Sequence, residues 1–338
     1  MTVLLIGRDT DLHIDAVLLK LKMCGTSWIR VDPTRVVQRD TQLKATWDGR
    51  QSTSIIDTYA GSIIPSEITG VLCRYALEAI DSSTTDPLAR FGEAEFWTTF
   101  RGILLHIGDH RWINDPFVEA RADHKPFQMF TARSVGLKVP PTLISQDAAA
   151  LRAFAAIHGA CVIKPISDVG LARSSQSYFN ELPSSLNDNA PYCSFTARFD
   201  PATLDRSEID LSSPVLLQAE IPAKTDLRVT IVDDRVFAAE ITQFGPGQTI
   251  DVRNSESTAL AAADIGVTAD AVRSLVRRLG LRFAACDFVR GTDGLFFLEA
   301  NVSGNWLWTE NAADLQISQA LAVALTEEAC SDSASSFR

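Results

Sequence analysis

The sequence is short of positive charge and has no long apolar run. Its 31 Lys and Arg residues are outnumbered by 42 Asp and Glu residues, which gives a formal net charge of −11 at pH 7. A general nucleic-acid binder needs a basic surface to displace counterions, so we expect no nucleic-acid partner. The longest apolar stretches, such as residues 3–6 and 259–263, fall far below the roughly 20 residues that span a bilayer. We therefore expect no membrane partner.

Signatures of metal modules and of export are also missing. The six cysteines contain no C-x-x-C pair and the five histidines form no H-E-x-x-H motif, so neither a compact zinc module nor a zinc hydrolase is indicated. The first residues show no basic lead followed by an apolar segment of signal-peptide length. These features predict a cytoplasmic protein with reduced thiols; a disulfide framework or a zinc site built from distant cysteines is the alternative.

The chain begins with an α/β pattern. A buried strand (residues 2–7), an amphipathic helix (11–24) and a second strand (27–32) predict a unit with a parallel sheet. The first turn, residues 7–10, lacks the G-x-G-x-x-G of a dinucleotide site, so we do not expect this unit to bind a dinucleotide in the usual way.

Composition divides the 338 residues further. A loop signal at 112–116 is followed by a predicted helix over 118–134, and a stretch rich in Ser, Asp, Asn and Pro (167–213) predicts a flexible lid. From residue 214 the pattern is strongly β. We therefore predict an N-terminal domain (1–115), a central subdomain with the lid (116–213), a C-terminal subdomain (214–330) and a disordered tail (331–338).

The strongest functional signal is a predicted hairpin near the C-terminus. Asp287 and Glu299 lie equally far from residue 293, near the centre of the turn, so they should face each other across the two strands. Asn301, two residues beyond Glu299, points to the same face. Two carboxylates and an amide oxygen are ligands that suit Mg²⁺. Incidental acids on a solvated face are the alternative, which the apolar neighbours at 296–298 argue against.

Upstream cations add to this pattern. Lys164 ends an apolar strand, which would hold its ammonium group at a fixed depth beside the phosphates of a nucleotide. Lys125 follows the loop at 112–116, and Arg228 follows Asp226 on a strand that can face the hairpin. Each alone reads as a surface cation, and it is their order along the chain that is informative.

That order resembles the ATP-grasp fold, an α/β fold in which residues 1–115 would be the pre-ATP-grasp domain. The resemblance implies ATP and Mg²⁺ as cofactors, with Lys125 and Lys164 on the ATP phosphates and Arg228 on phosphate or an acylphosphate. It also implies the remaining binding roles: an adenine linker of Gln218, Ala219, Glu220 and Ile221, with Asp226 in the nucleotide site, and Mg²⁺ held by Asp287, Glu299 and Asn301.

Residues 112–116, 122–125, 136–142 and 301–310 narrow the resemblance, with Trp306-Leu-Trp308 as the most specific part. They look like the graspetide maturases, the microviridin-type ligases that cross-link ribosomal precursor peptides, and the similarity runs to about residue 325. The resemblance implies a precursor peptide with a leader and an acidic core that contains Ser, Thr or Lys. It also implies ω-ester or ω-amide bonds and a homodimer.

The surface facing the peptide departs from the family pattern. Asp251-Val-Arg253 stands where the family usually has Asp-Trp-Arg, so Asp251 and Arg253 are candidates for handling the acceptor or the core peptide; a salt bridge near a lid is the alternative. Arg74, Arg173 and Arg198 are candidates, with Arg253, for a basic groove. Two other functions stay open: a ligase of the same fold for amino acids or another small carboxylate, and a catalytically silent ATP-binding scaffold.

Overall fold

The computed structural model describes residues 2–36, 41–74, 85–164, 166, 196–205, 214–222, 225–244 and 257–326. Among these residues, no helix has the length and apolar character needed to cross a bilayer.

A parallel four-stranded sheet forms the N-terminal segment. Its elements are β1 (Thr2–Ile6), α1 (Leu12–Met23), β2 (Ser27–Val31), α2 (Pro33–Val36), β3 (Gln42–Trp47), β4 (Ser52–Thr58), β5 (Gly61–Ile63), β6 (Ile68–Cys73), α3 (Pro87–Leu104) and β7 (Trp112–Ile113). The sheet order is β2-β1-β6-β7 with every pair parallel, as predicted. Asp11 caps α1, because its carboxylate accepts hydrogen bonds from the backbone amides of His13 and Ile14.

A second, antiparallel sheet of β3, β4 and β5 was not predicted. Its strands turn one face to the core, where Ile56 and Ile63 are fully buried, and leave the other face to solvent. The local signal was the Asp48-Gly49 turn between β3 and β4, a dipeptide typical of hairpins.

The single helix predicted over 118–134 is two helices, α4 (Pro116–Ala122) and α5 (Lys125–Ser134). Pro126 has no N–H to donate to the carbonyl group of Ala122 four residues earlier, so a helix cannot run through it, whereas the first turn of a new helix tolerates it. Gln128 Nε2 donates to the Ala122 oxygen instead, at 2.8 Å. The break makes Lys125 the first residue of α5.

The central segment forms an antiparallel sheet with one helix against it. Its elements are β8 (Thr142–Ser145), α6 (Ala148–His158), β9 (Cys161–Lys164), β10 (Ala197–Arg198) and β11 (Val215–Ala219), in the order β10-β9-β11-β8. Leu151 and Ala155 of α6 pack with Val215 and Leu217 of β11. Most of the predicted lid lies outside the described residues.

A five-stranded antiparallel sheet forms the C-terminal segment. Its elements are β12 (Thr225–Val232), β13 (Arg235–Phe244), β14 (Ser257–Ala262), α7 (Thr268–Leu279), β15 (Phe283–Gly291), β16 (Gly294–Asn301), α8 (Leu307–Ala312) and α9 (Ile317–Thr326), with the sheet order β14-β13-β12-β15-β16. The apolar face of α7 packs on one face of this sheet. The strands confirm the strongly β pattern predicted from residue 214.

Packing crosses the predicted domain boundaries. Ala122 of α4 and Ala132 of α5 share a core with Phe288 and Phe297 of the C-terminal sheet. At the other end of the chain, Leu321 of α9 joins Val3 in the core beneath the N-terminal sheet. The segments on either side of residue 115 therefore share cores, and the division of the chain stays a prediction.

Candidate active site

Four charged side chains lie together on one face of the C-terminal sheet. Arg228 on β12 pairs with Asp287 on β15, which pairs with Glu299 on β16, so the three lie side by side across adjacent strands. Arg228 Nη1 is 2.8 Å from Asp287 Oδ1. Lys125 Nζ, from the start of α5, is 3.1 Å from Glu299 Oε2. The predicted pairing of Asp287 with Glu299 is confirmed, and each carboxylate has its own cation.

That pairing depends on a β-bulge. Gly291 pairs with Gly294, so the turn is centred half a residue earlier than predicted. The register shifts between Asp287 and Phe288, and Leu298 is the extra residue on β16. In an unbroken ladder Asp287 would face Leu298, and Glu299 would point to the opposite face of the sheet. The bulge therefore brings the second carboxylate into the site.

Burial and like charge disfavour the ionised form of Asp287 unless a cation is close to it. Burial raises the pKa of Asp287 and the neighbouring Glu299 raises it further, while Arg228 works in the opposite direction. A divalent cation would favour the ionised form of both carboxylates. Asn301 Nδ2 donates to Asp287 Oδ2 at 3.0 Å and to the Ala285 carbonyl group at 3.3 Å, so its Oδ1 is the atom suited to a ligand role.

The donor set fits Mg²⁺ better than a transition metal. Two carboxylates and an amide are hard oxygen ligands of the kind that Mg²⁺ takes together with water and phosphate oxygens. In the described part of the chain, no three His, Cys, Asp or Glu side chains come together as ligands of a metal ion. Asp287 and Glu299 pair across the two strands and Asn301 donates to Asp287, so the three side chains are neighbours, and a shared ion stays a prediction.

Two buried amide side chains, which the sequence analysis missed, brace this site. Gln128 Nε2 donates to the Ala300 carbonyl group at 2.8 Å, and Gln128 Oε1 accepts from the Ala300 amide at 2.9 Å, which fixes α5 and hence Lys125 beside Glu299. Asn114 Nδ2 donates to the carbonyl groups of Phe283 and Val302, which joins β15 to the chain just beyond β16. The sequence did contain a sign that Gln128 is buried, because it lies four residues before Ala132 on the apolar face of α5.

A second polar group lies in the central sheet. Lys164 Nζ donates to Gln218 Oε1 at 2.8 Å, and Gln218 Nε2 donates to Thr142 Oγ1 at 2.9 Å. Gln218 is only 2% exposed in an otherwise apolar strand. Its side chain therefore holds Lys164.

The segment after Gln218 runs from the central sheet towards the C-terminal sheet. The amides of Ala219 and Glu220 donate to the carbonyl groups of Pro141 and Ala160, both at 2.9 Å. Ile221 lies against the hairpin tip, where a Cβ placed on Gly291 would be 2.5 Å from Ile221 Cγ2. The predicted linker thus runs from the central sheet to the hairpin that carries the acidic pair.

The other candidate residues lie in different parts of the chain. Asp226 lies two residues before Arg228 on the same face of β12, 3.4 Å from Gln243 Nε2. Arg198 pairs with Glu220 at 3.4 Å, and Arg74 is held by Asp11 at 3.0 Å. The remaining candidates lie outside the described residues: Arg173, Asp251 and Arg253.

The Trp306 segment after the hairpin is a structural anchor. Trp306 is 1% exposed, its Nε1 donates to Ser318 Oγ at 2.9 Å, and its ring meets the His13 ring edge-on at 4.5 Å. Trp308 is 42% exposed and donates from Nε1 to the Asn305 carbonyl group. The two tryptophans of this motif thus have opposite environments.

We predict that His13 makes folding sensitive to mild acid. The pKa of His13 is lowered from its ordinary 6.5 to about 4, chiefly by burial and then by Arg74, while Asp11 works in the opposite direction. Between these values the unfolded chain binds a proton that the folded chain does not, so His13 takes stability away as pH falls from 6.5 to 4. The melting temperature of the wild type should therefore drop more steeply over this window than that of His13→Gln. Parallel curves would contradict the assignment.

Solved structures of other proteins share this architecture. No protein-family profile matches the sequence. The structure matches that of the macrocyclase MdnC from Microcystis aeruginosa MRC, bound with precursor peptide MdnA, with a TM-score of 0.75 and 25% identity over 96% of this chain and 99% of that one. The chain has the ATP-grasp fold and is similar to macrocyclases of the graspetide maturase type. The predicted fold class and the predicted resemblance to these maturases are confirmed.

Two further comparisons bear on this ATP-grasp protein. The ligase PsnB, in complex with a minimal-precursor variant, Mg and ADP, has a TM-score of 0.71 and 24% identity over 96% of this chain and 97% of its own, a likeness that shows the fold. A glutathione synthetase from Rhodopseudomonas palustris is 33% identical over 147 residues, which are 40% of this chain and 44% of that protein. The chain spans about half the length of the curated relatives it matches.

Proposed function

We propose that this ATP-grasp protein forms side-chain cross-links in a ribosomal precursor peptide. An oxygen of an Asp or Glu side chain attacks the γ-phosphorus of ATP, ADP leaves, and the carboxyl group becomes an acylphosphate. A Ser or Thr hydroxyl group, or a Lys amine, then attacks the acyl carbon. Phosphate leaves, and an ω-ester or ω-amide remains. The net change in the peptide is the loss of one water per cross-link.

The observation that carries this proposal is the row of Arg228, Asp287 and Glu299 with Lys125 beside it. Mg²⁺ bound by Asp287, Glu299 and Asn301 would neutralise charge on the transferring phosphoryl group. Once these carboxylates face a metal ion, Arg228 and Lys125 are two fixed cations next to it, and they can bind the phosphate oxygens whose charge develops during transfer. A rigid sheet and the first turn of α5 hold both without further reorganisation.

Nucleotide binding is assigned to the central sheet and its linker. Lys164, held by Gln218, would bind an ATP phosphate. The amides of Ala219 and Glu220 already donate to backbone carbonyl groups, so adenine would contact the Glu220 carbonyl group or the Ile221 amide. Gln218 would contribute to phosphate binding by holding Lys164 in place.

The peptide side of the proposal rests on likeness to the maturases. We assign the partner as a precursor with a leader and an acidic core containing Ser, Thr or Lys. Asp251 and Arg253 are proposed to handle the acceptor or the core. The division at residues 115 and 213, a homodimeric assembly and a cytoplasmic location complete the proposal.

Intact mass spectrometry tests this function directly. The purified protein is incubated with ATP, Mg²⁺ and a synthetic peptide containing Glu or Asp together with Thr, Ser and Lys, taken from the short peptide encoded nearest its gene. Loss of one water per ring, dependent on both ATP and Mg²⁺, is the expected result. An unmodified peptide would count against the proposal, and hydroxylamine treatment, which cleaves esters and spares amides, separates the two bond types.

The glutathione synthetase match favours one alternative, a ligase for small carboxylates. The same acylphosphate chemistry would then join an amino acid or a short peptide. ADP release stimulated by free amino acids, with the precursor peptide left unmodified, would select this function. The absence of ATP turnover under every condition would instead favour a silent ATP-binding protein.

The nucleotide assignment predicts graded losses of ATP affinity. Lys164→Met removes a charge-assisted contact with phosphate and should weaken ATP binding by about tenfold to a hundredfold. Gln218→Met keeps the charge of Lys164 but removes the oxygen that accepts its hydrogen bond, so we expect a smaller loss of ATP affinity. Lys44→Met, on β3 of the N-terminal segment, is the control and should bind ATP like the wild type. Isothermal titration calorimetry measures all three, and wild-type affinity in Lys164→Met would remove Lys164 from the site.

A further inference from the structure

The N-terminal sheet has a topological switch point, the place where ligands bind in other α/β proteins. The sheet order reverses between β1 and β6, and in open α/β sheets the carboxyl ends of strands at such a point line a binding crevice. Asp11 follows β1 here and Arg74 follows β6 directly, and the two form an ion pair of 3.0 Å. Their side chains are 16% and 8% exposed, so the ion pair is largely buried.

The C-terminal segment supplies the residues that cover Arg74 of this ion pair. Arg74 Nη1 donates to the carbonyl groups of Ser303 at 3.1 Å and Gly304 at 3.4 Å. Arg74 Nη2 donates to Asn305 Oδ1 at 2.9 Å, and the guanidinium carbon lies 4.7 Å from the centre of the Trp306 ring. One side chain from the N-terminal sheet thus binds four consecutive residues of the loop that follows Asn301.

The same loop touches the reacting end of the site from its other side. The Asn305 carbonyl group accepts a hydrogen bond from Arg228 Nη2 at 3.4 Å. Gly304 is packed so closely that a Cβ there would lie 2.7 Å from Arg228 Nη2 and 3.0 Å from the Asn301 Cβ. A displacement of this loop would therefore move Arg228 and Asn301, the cation paired with Asp287 and one candidate ligand.

We propose that Arg74 is a positioning residue which, from outside the ATP-grasp subdomains, fixes the loop 303–306 and through it Arg228 and Asn301. This role rests on the proposed function of the site. Arg74 acts on the loop in the way that outer partners hold metal ligands. The N-terminal segment is thereby part of the catalytic apparatus rather than an appended domain.

A matched variant separates this role from simple stabilisation. Arg30 also forms an ion pair with a residue of α1, Asp15, and its side chain is 13% exposed. Within the described residues, its other hydrogen bonds go to the backbone carbonyl groups of Arg8 and Asp11 and not to the loop. Arg30→Gln therefore removes a comparable interaction from the same sheet. Asn305→Ala removes one partner of Arg74 from the loop side and leaves the N-terminal sheet intact, so it serves even where Arg74→Gln folds poorly.

The test measures the Mg²⁺ concentration that half-saturates ADP binding, by calorimetry on the full chain. Loss of an outer partner typically lowers metal affinity about tenfold to a hundredfold, so Arg74→Gln should need at least about ten times more Mg²⁺, with partial rescue in Arg74→Lys. Asn305→Ala should shift in the same direction, and Arg30→Gln should match the wild type. Hydrogen exchange of the amides at 303–306 should be faster in Arg74→Gln than in the wild type. It should be unchanged in Arg30→Gln.

Each contrary outcome has a distinct meaning. Wild-type Mg²⁺ dependence in Arg74→Gln, or an equal shift in Arg30→Gln, would overturn the positioning role and leave the proposed function standing. A wild-type protein that binds no ADP with Mg²⁺ would overturn the function of the site and this role with it.

Discussion

Glu299→Gln is expected to abolish cross-linking while leaving the protein folded. The variant keeps the shape of the side chain but removes one of the two carboxylate charges that would hold Mg²⁺, and metal stabilisation of a phosphoryl transfer contributes several kcal/mol. We expect the rate to fall by at least about a thousandfold. Folding should change little, because the Glu299 side chain is 31% exposed and its pair with Lys125 contributes about 1 kcal/mol or less.

Glu240→Gln is the matched control for this substitution. Glu240 lies on β13 of the same sheet, is 40% exposed and is 3.9 Å from Arg290, but it pairs with Leu227 and so points away from the face that bears Arg228. The control should ligate like the wild type. Intact mass after a time course measures both variants, and product formation at the wild-type rate by Glu299→Gln would remove Glu299 from the metal site.

Arg228→Met should destabilise the protein strongly, because it leaves Asp287 buried beside Glu299 without its cation. Removal of one partner from a fully buried pair costs about 3–5 kcal/mol. Since the Asp287 side chain is 31% exposed, we expect about 2–3 kcal/mol here. Loss of Arg228 also removes the influence that holds the pKa of Asp287 down, so the variant should be relatively more stable at lower pH.

Addition of Asp287→Asn separates stability from catalysis. The double variant has no unpaired charge at these positions, so it should recover most of the lost free energy of unfolding but remain inactive. Chemical denaturation measures the first and intact mass the second. A double variant as unstable as Arg228→Met would show that packing of the guanidinium group, and not the charge of Asp287, sets the cost.

The sequence predicted the acidic pair correctly but for an incomplete reason. Distance from the turn suffices to pair Asp287 with Glu299 only if the turn is centred at residue 293. The actual turn lies half a residue earlier, and the bulge at Leu298 compensates. A bulge depends on how two strands twist together, and one run of apolar residues around Leu298 gives no sign of it. The Mg²⁺-type donor set could thus be found from pattern alone, while its geometry could not.

Residues whose role depends on distant contacts were beyond pattern reasoning. From the sequence, Arg74 looks like a cation after a strand. Its partners in the loop 303–306, however, lie about 230 positions further along the chain. Asn114 reads as part of a loop, although its side chain serves backbone groups of β15. Periodicity reports the local face of a residue and not what packs against that face, which is why the helices and strands were predicted more fully than the braces of the site.

The core beneath the N-terminal sheet has a consequence for the order of synthesis. Leu5, Ile14 and Leu21 pack there against Trp306 and Leu321, so β1 is buried by a helix that is synthesised some three hundred residues later. Nascent domains generally fold one after another, N-terminal first. Here the first sheet must wait with one apolar face uncovered until residues 306–325 have been translated. Apolar surface that stays exposed during translation is prone to aggregate, which is the condition that chaperones relieve.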